Sequence, residues 1–164
     1  MRKMSIVNII LIITATSTGL IAGLFYAYSC SVNPGLAGLP DAQYVAAMQS
    51  ISSAILNPVF FASFLGTLIL LPLSCYLNFL PPYSQRFVFL LAAALIYIIG
   101  SFGVTIFGNV PLNDALGRIN LKTASTEEIS NARIAFENLW NRLHSVRTLA
   151  SMASFILVVI ANKM

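Results

Sequence analysis

Four apolar stretches, at about residues 5–30, 58–79, 86–108 and 143–162, leave this chain few folds to adopt. Crossing the ~30 Å hydrocarbon core of a bilayer takes about 20 apolar helical residues, within a range of ~17–25. Each stretch meets or approaches that length. Hydrophobic residues make up 58% of the chain and charged ones only 9%, against about 25% charged in a soluble domain. There are too few polar groups here to cover a water-facing globule. In lipid the backbone must satisfy its own hydrogen bonds, and helices do so within one segment. The expected fold is all-α: a four-helix transmembrane bundle, one integral membrane domain over residues 1–164, in contact with the lipid bilayer. The formal charge of +4 raises the question of nucleic acid, but the bases are scattered and most of the chain is apolar. No nucleic-acid partner is expected.

Met1-Arg2-Lys3 ahead of the first stretch has the look of a signal peptide, yet the stretch is too long for a 7–15-residue signal core. It also carries Ala15, Gly19, Gly23 and Ala27 at fourfold spacing. Such a small-residue stripe lets helices approach closely in lipid. The reading is an uncleaved first helix, whose small-residue face leaves a homo-oligomer open. Cys30 and Cys75 fall at opposite ends of their helices, too far apart in depth for a disulfide, and read as structural thiols.

Four spans bring both termini to one side, together with Arg2, Lys3, Arg86 and Lys163. The other side receives all five acids and Arg118, Lys122, Arg133, Arg142 and Arg147. Lys and Arg counts decide orientation, and the first helix usually dominates, so both termini are expected to be cytoplasmic. On the far side, residues 31–40 are punctuated like a turn-rich loop. Asp41 is the expected N-cap of an amphipathic helix carrying Tyr44, Met48, Ile51 and Ile55. Asn57-Pro58 marks a break before the second span, Pro72 a bend within it, and Pro81-Pro82 its end. Gly100, Gly103 and Gly108 suit close packing of the third span. Pro111 discourages helix at Val110, so residues 112–124 are expected to be irregular.

Ser125-Thr126-Glu127-Glu128 matches a capping box, and no break follows before Asn162. One long helix is expected, with an apolar face through Ile129, Ala132, Phe136, Leu139 or Trp140, and Leu143. The bundle thus gains amphipathic helical extensions of helices 2 and 4 on the non-cytoplasmic side. Counting back ~20 residues from Asn162 puts His144 and Arg147 inside the outer part of the bilayer. Ionisable groups there face a bundle interior or a wet cavity.

Asn141, His144, Thr148 and Ser151 recur at three- and four-residue spacing and share one helix face, with Trp140 and Arg147 at its flanks. Asn113 and Asp114, at the end of the third span, are acceptors within reach of Arg142, Arg147 or His144. The structural reading is a hydrogen-bonded lock between helices three and four, with arginines and Trp140 snorkelling to the interface. The functional reading is a pocket where His144 moves protons and Arg147 holds an anionic or polar group of a lipophilic small molecule. Asn33 and Asn57, beside prolines, are either turn residues or polar atoms at the pocket mouth. One histidine does not make a zinc or copper site, so no metal and no cofactor is expected, with axial haem ligation by His144 the one such option left. There is no phosphate loop, dinucleotide fingerprint or nucleophile elbow.

Several short motifs then follow in order: Gly19 to Val32 with Asn33-Pro34-Gly35-Leu36, Tyr44 to Ile51, Asn57-Pro58-Val59-Phe60, Asn109-Val110-Pro111-Leu112-Asn113-Asp114, and Trp140-Asn141-Arg142 with Val146-Arg147-Thr148. Together they resemble the anthrone oxygenase-like integral membrane family over nearly the whole chain. The resemblance implies a four-helix bundle whose named members oxidise anthrones to anthraquinones without a conventional cofactor. It implies site roles for Asn113, Trp140, Asn141 and Arg147, with His144 a partner in proton transfer; Asn109 and Asp114, beside Asn113, are read as further substrate-binding residues. The expected function is a membrane oxygenase of a phenolic or polyketide-like substrate. The competing expectation is a non-enzymatic lipid-binding or partner-stabilising subunit, in which the polar cluster is only a lock. A channel or carrier fits less well, since no polar stripe runs through all four spans.

Overall fold

The structure, a computed structural model, describes residues 5–164. Arg2 and Lys3, on which the expected orientation leans, lie outside the described residues. Among the described residues five helices make the fold: α1 (Ile6–Ala37), α2 (Asp41–Ala54), α3 (Pro58–Leu77), α4 (Gln85–Gly117) and α5 (Thr126–Asn162). All but α2 are long and apolar enough to cross a membrane, which makes this a membrane protein, and the described residues contain no strand. The four long helices close into a ring, α1 against α3 and α5, and α4 against α3 and α5.

The ring encloses an apolar core that includes Leu11, Phe64, Leu71, Leu90 and Tyr97, yet its polarity differs from that of a soluble bundle. Large apolar side chains such as Ile12, Leu20, Ile69, Ile99 and Ile156 point outward, while Thr14, Ser17, Thr67, Ser74, Ser101, Ser151 and Ser154 are buried. These hydroxyls tie the helices together. Thr14 meets Ser74 at 2.9 Å, Ser17 meets Thr67 at 2.9 Å, and Ser101 meets Ser151 at 2.8 Å. Small residues allow the approach. A methyl group added at Gly100 would stand 2.7 Å from the Ala150 side chain, and one at Gly108 would stand 2.9 Å from Leu143. On α1, Gly19 accommodates the Phe155 ring, whereas Gly23 faces open space.

Beyond the bundle, α2 and the outward ends of α1, α4 and α5 form a cap with its own core of Tyr44, Val45, Met48, Leu116, Phe136 and Trp140. Arg133 fastens it. Its guanidinium donates to the carbonyls of Leu39 (2.6 Å) and Ala37 (3.0 Å), to Asp41 (3.1 Å) and to Glu137 (2.7 Å). It also lies 4.3 Å from the centre of the Tyr44 ring. Burial, reinforced by the Glu137 carboxylate, pushes the Tyr44 phenol above its ordinary range, so it stays neutral there. Gln49 of α2 reaches over to the carbonyls of Leu116 and Ile119, both at 2.9 Å, completing the lid. The capping box at Ser125 and Glu128 forms as expected.

Three local expectations are corrected. Residues 31–37 are helical rather than a loop, leaving only a short turn at 38–40. Likewise the third span does not stop before Pro111 but runs on to Gly117, so residues 112–117 are not irregular. A proline inside an α-helix loses one hydrogen bond and clashes with the carbonyl four residues back. Pro34 and Pro111 each follow a π-turn, Tyr28–Val32 before Pro34 and Thr105–Asn109 before Pro111, whereas Pro72 is carried within the ordinary winding of α3. The N–H of Asn33 bonds to Tyr28 and that of Val110 to Thr105, five residues back. The wider turn opens room for the ring, and the helix continues. Asp41 is the third correction: the N-cap is Pro40, and Asp41 stands in the first turn with its carboxylate on Arg133.

Candidate functional site

Bundle and cap meet at a seam where the packing is incomplete. A cavity of about 610 Å³ opens there, within the ~300–1,000 Å³ of ordinary small-molecule sites. Its inner wall is Leu24, Phe25 and Tyr28 of α1, facing Trp140 and Arg147 of α5. The α2–α3 joint contributes Ile55, Leu56 and Phe60, and α4 contributes Thr105, Asn113 and Asp114. Gln49, Ser52, Ser53 and Arg118 add a polar rim. The interior is thus apolar with a small polar group at one wall.

Arg147 dominates that wall. It is 8% exposed, and among the described residues no carboxylate lies within 4.0 Å of it. Its guanidinium carbon sits 4.4 Å from the centre of the Phe25 ring and 5.0 Å from that of Trp140. Cation–π contact of this kind contributes about 2 kcal/mol or more when desolvated. That offsets only part of the cost of burying an unpaired charge, several kcal/mol per ion.

Behind Arg147 stands a directed chain of hydrogen bonds. Arg147 Nε donates to His144 Nδ1 at 3.0 Å. A guanidinium has no acceptor, so His144 Nδ1 offers its lone pair and the imidazole is neutral with its proton on Nε2. That N–H donates to Ser29 Oγ at 2.9 Å, and the Ser29 hydroxyl donates to the Phe25 carbonyl at 3.0 Å. Trp140 stacks on the imidazole at 5.0 Å with the planes 10° apart. His144 is 1% exposed and does not reach the cavity wall. Both its ring nitrogens are engaged, so a haem iron or metal ion would have to displace Ser29 or Arg147. Among the described residues no grouping of three or more His, Cys, Asp and Glu has metal-ligand proximity.

The structure brings four of the expected site residues to the cavity: Asn113, Asp114, Trp140 and Arg147. Asn113 Oδ1 accepts from Trp140 Nε1 at 2.7 Å, which fixes the indole edge. Asn113 therefore serves Trp140, not an arginine, and among the described residues Asp114 makes no ion pair. Asn109 lies fully buried behind Trp140, donating to its carbonyl at 3.2 Å, with its own side-chain oxygen unpartnered. Asn141 is half-buried and off the cavity wall. Asn57 caps α3, accepting from the Phe60 N–H at 3.0 Å, and Asn33 sits in the α1 helix beyond the π-turn. Neither lines the cavity.

Tyr28, Ser29 and Gln49 escape a sequence reading. The signal for the first two is Asn33-Pro34 within a helix that has reason to continue: a wide turn just ahead is one way to carry a proline through, and that turn starts at Tyr28. No curated protein and no solved structure matches the chain. A family model described as anthrone oxygenase matches residues 58–157, well over half of the 164 residues. That segment holds α3, α4 and the part of α5 bearing Trp140, His144 and Arg147. That match, over a chain with four helices long and apolar enough to cross a membrane, places it in the anthrone oxygenase family.

Proposed function

We propose that the protein is a multi-pass membrane oxygenase of a lipophilic polycyclic phenol of the anthrone kind, with the cap and cavity on the non-cytoplasmic side and both termini in the cytoplasm. The observation that carries this reading is Arg147, a buried cation without a carboxylate at the wall of an apolar cavity. A site of that make-up suits an aromatic body with one acidic oxygen. Ionising the substrate would place an oxyanion against the guanidinium and raise electron density at the reacting carbon. Dioxygen, itself lipid-soluble, adds there. One oxygen atom remains as the new carbonyl, and the other leaves as water with the two hydrogens of the reacting CH2. No external reductant is needed.

In this reading Arg147 stabilises the oxyanion, and fixed donors of that kind are worth about 10²–10³ in rate. Trp140 and Phe25 hold the ring system, and Asn113 holds Trp140. His144 supports Arg147 from behind. Its Nδ1 becomes free to accept a proton only when Arg147 turns toward a bound anion, which would couple proton uptake to binding. Oxygen uptake by the reconstituted protein supplied with an anthrone tests the reading, with one O2 consumed per quinone formed and a loss of about a hundredfold or more in Arg147→Ala. No uptake by the wild type, or full activity in the variant, would overturn it.

The lock reading has its own support in Asn109, Asn113 and Ser29, which join α4 and α1 to α5. It predicts that Asn113→Ala lowers thermal stability whether or not ligand is present. The two readings part at Arg147, which a lock does not need as a cation.

A further inference from the structure

Among the polar side chains of the inner wall, Tyr28 has the weakest partner. Its hydroxyl donates to the thioether sulfur of Met48 at 3.2 Å, and a thioether is a poor acceptor. Tyr28 is half-buried, and a tyrosine hydroxyl drawn out of water ordinarily finds a better acceptor. The ring is fixed, 5.4 Å from Trp140 and 5.2 Å from His144 between centroids. Tyr28 and Arg147 therefore flank one indole, and both line the cavity. The π-turn that starts at Tyr28 sets the phenol at this level of α1.

We infer that Tyr28 and Arg147 form a two-donor site for a single oxyanion of a hydroxylated polycyclic aromatic ligand. The inference rests on the proposed use of the cavity and adds the group that selects the ionised form. On binding, the ligand oxygen replaces the Met48 sulfur as acceptor, exchanging a weak hydrogen bond for a charge-assisted one. Met48, buried in the cap core, keeps the hydroxyl directed while the site is empty. The phenol keeps its own proton throughout.

The test is equilibrium binding of a dihydroxyanthraquinone dye to the purified full-length protein, read by the dye's absorption, which shifts to the red on ionisation. At a pH where the free dye is neutral, the wild type should bind it with the phenolate spectrum. Tyr28→Phe keeps the ring on Trp140 and should weaken binding roughly tenfold or more, the worth of a hydrogen bond to a charged acceptor, with the bound dye largely neutral. Anthracene, which offers no oxygen, should bind wild type and Tyr28→Phe alike. Met48→Leu removes only the resting acceptor and should leave dye affinity equal or higher. Unchanged affinity and spectrum in Tyr28→Phe would overturn the inference while leaving the cavity reading standing. If neither dye nor anthracene binds the wild type, both fall. Binding with no turnover of an anthrone touches the oxygenase reading alone.

Discussion

The two halves of this molecule are held together by opposite chemistries. In the bundle, serine and threonine hydroxyls pair across helices at 2.8–2.9 Å within an apolar core, and many further large apolar side chains face outward. In the cap, a single arginine gathers two carbonyls and two carboxylates over a buried aromatic core. Lipid explains the first arrangement. Apolar burial drives nothing there, so close packing and short hydrogen bonds hold the helices. The second arrangement follows from the guanidinium, whose fork of donors binds several acceptors at once. Arg147 belongs to neither half. It is a cation in the dry part with no anion beside it, and the seam between the two chemistries is where the cavity lies.

Arg147 should therefore give the widest split between function and stability. Arg147→Met is expected to abolish oxyanion binding and lower turnover about a hundredfold or more. It should also raise thermal stability, since replacing a buried charge with an apolar chain is often stabilising by ~1–4 kcal/mol. A fall in melting temperature would mean that Arg147 is a structural cation after all. Next comes the cap fastener. Arg133→Ala should open the joint between α1, α2 and α5 at a cost of about 2–3 kcal/mol, the scale of a hydrogen-bonded charged group. Faster amide exchange in α2 with unchanged protection in α3 would show that the halves open separately.

Bundle packing ranks below these. Gly100→Leu forces a side chain onto Ala150, already at the limit of approach, and should cost ~1–3 kcal/mol, measured by denaturation in detergent. Ser101→Ala should cost much less, about 0.6 kcal/mol, because interhelical hydrogen bonds in lipid are worth little on average. A loss above ~2 kcal/mol would remove the contrast with the cap. The smallest effect concerns Glu128. The Ser125 backbone N–H bonded to it holds its carboxyl below the usual carboxylate range. The depressed value means that its contribution is present above the ordinary Glu range and is lost as pH falls through the lowered one. Amide exchange in the first turn of α5 should quicken over that acidic window while the spans stay protected.

What could be read beforehand follows the same division. The four long helices announce themselves through unbroken apolar length, and Ser125-Thr126-Glu127-Glu128 through capping chemistry, both local signals. Arg147 and Trp140 stand out because a cation and an indole at that depth need a reason. The geometry that decides roles is not local. Whether His144 faces the cavity or supports Arg147 depends on Ser29, more than a hundred residues away. Asn33, Asn57 and Asn141 look as polar as Asn113, yet only Asn113 meets the indole N–H. Proline rules also misled at Pro34 and Pro111, because they describe α-helices and these prolines follow wider turns. Asp41 was drawn from its capping role by Arg133, a partner on another helix.

Those wider turns have a consequence for chain length. A π-turn holds one residue more than ordinary winding would. The segments Tyr28–Val32 and Thr105–Asn109 are thus places where a single residue can be removed while the helix still crosses the membrane. Such a deletion would return the turn to ordinary winding with the flanks facing as before, but it would shift the side chains within the turn, Tyr28 on α1 or Thr105 on α4, away from the cavity they line. The bundle below would keep its hydroxyl pairs and glycine contacts. A one-residue deletion, silent to the fold, would take the aim out of the site.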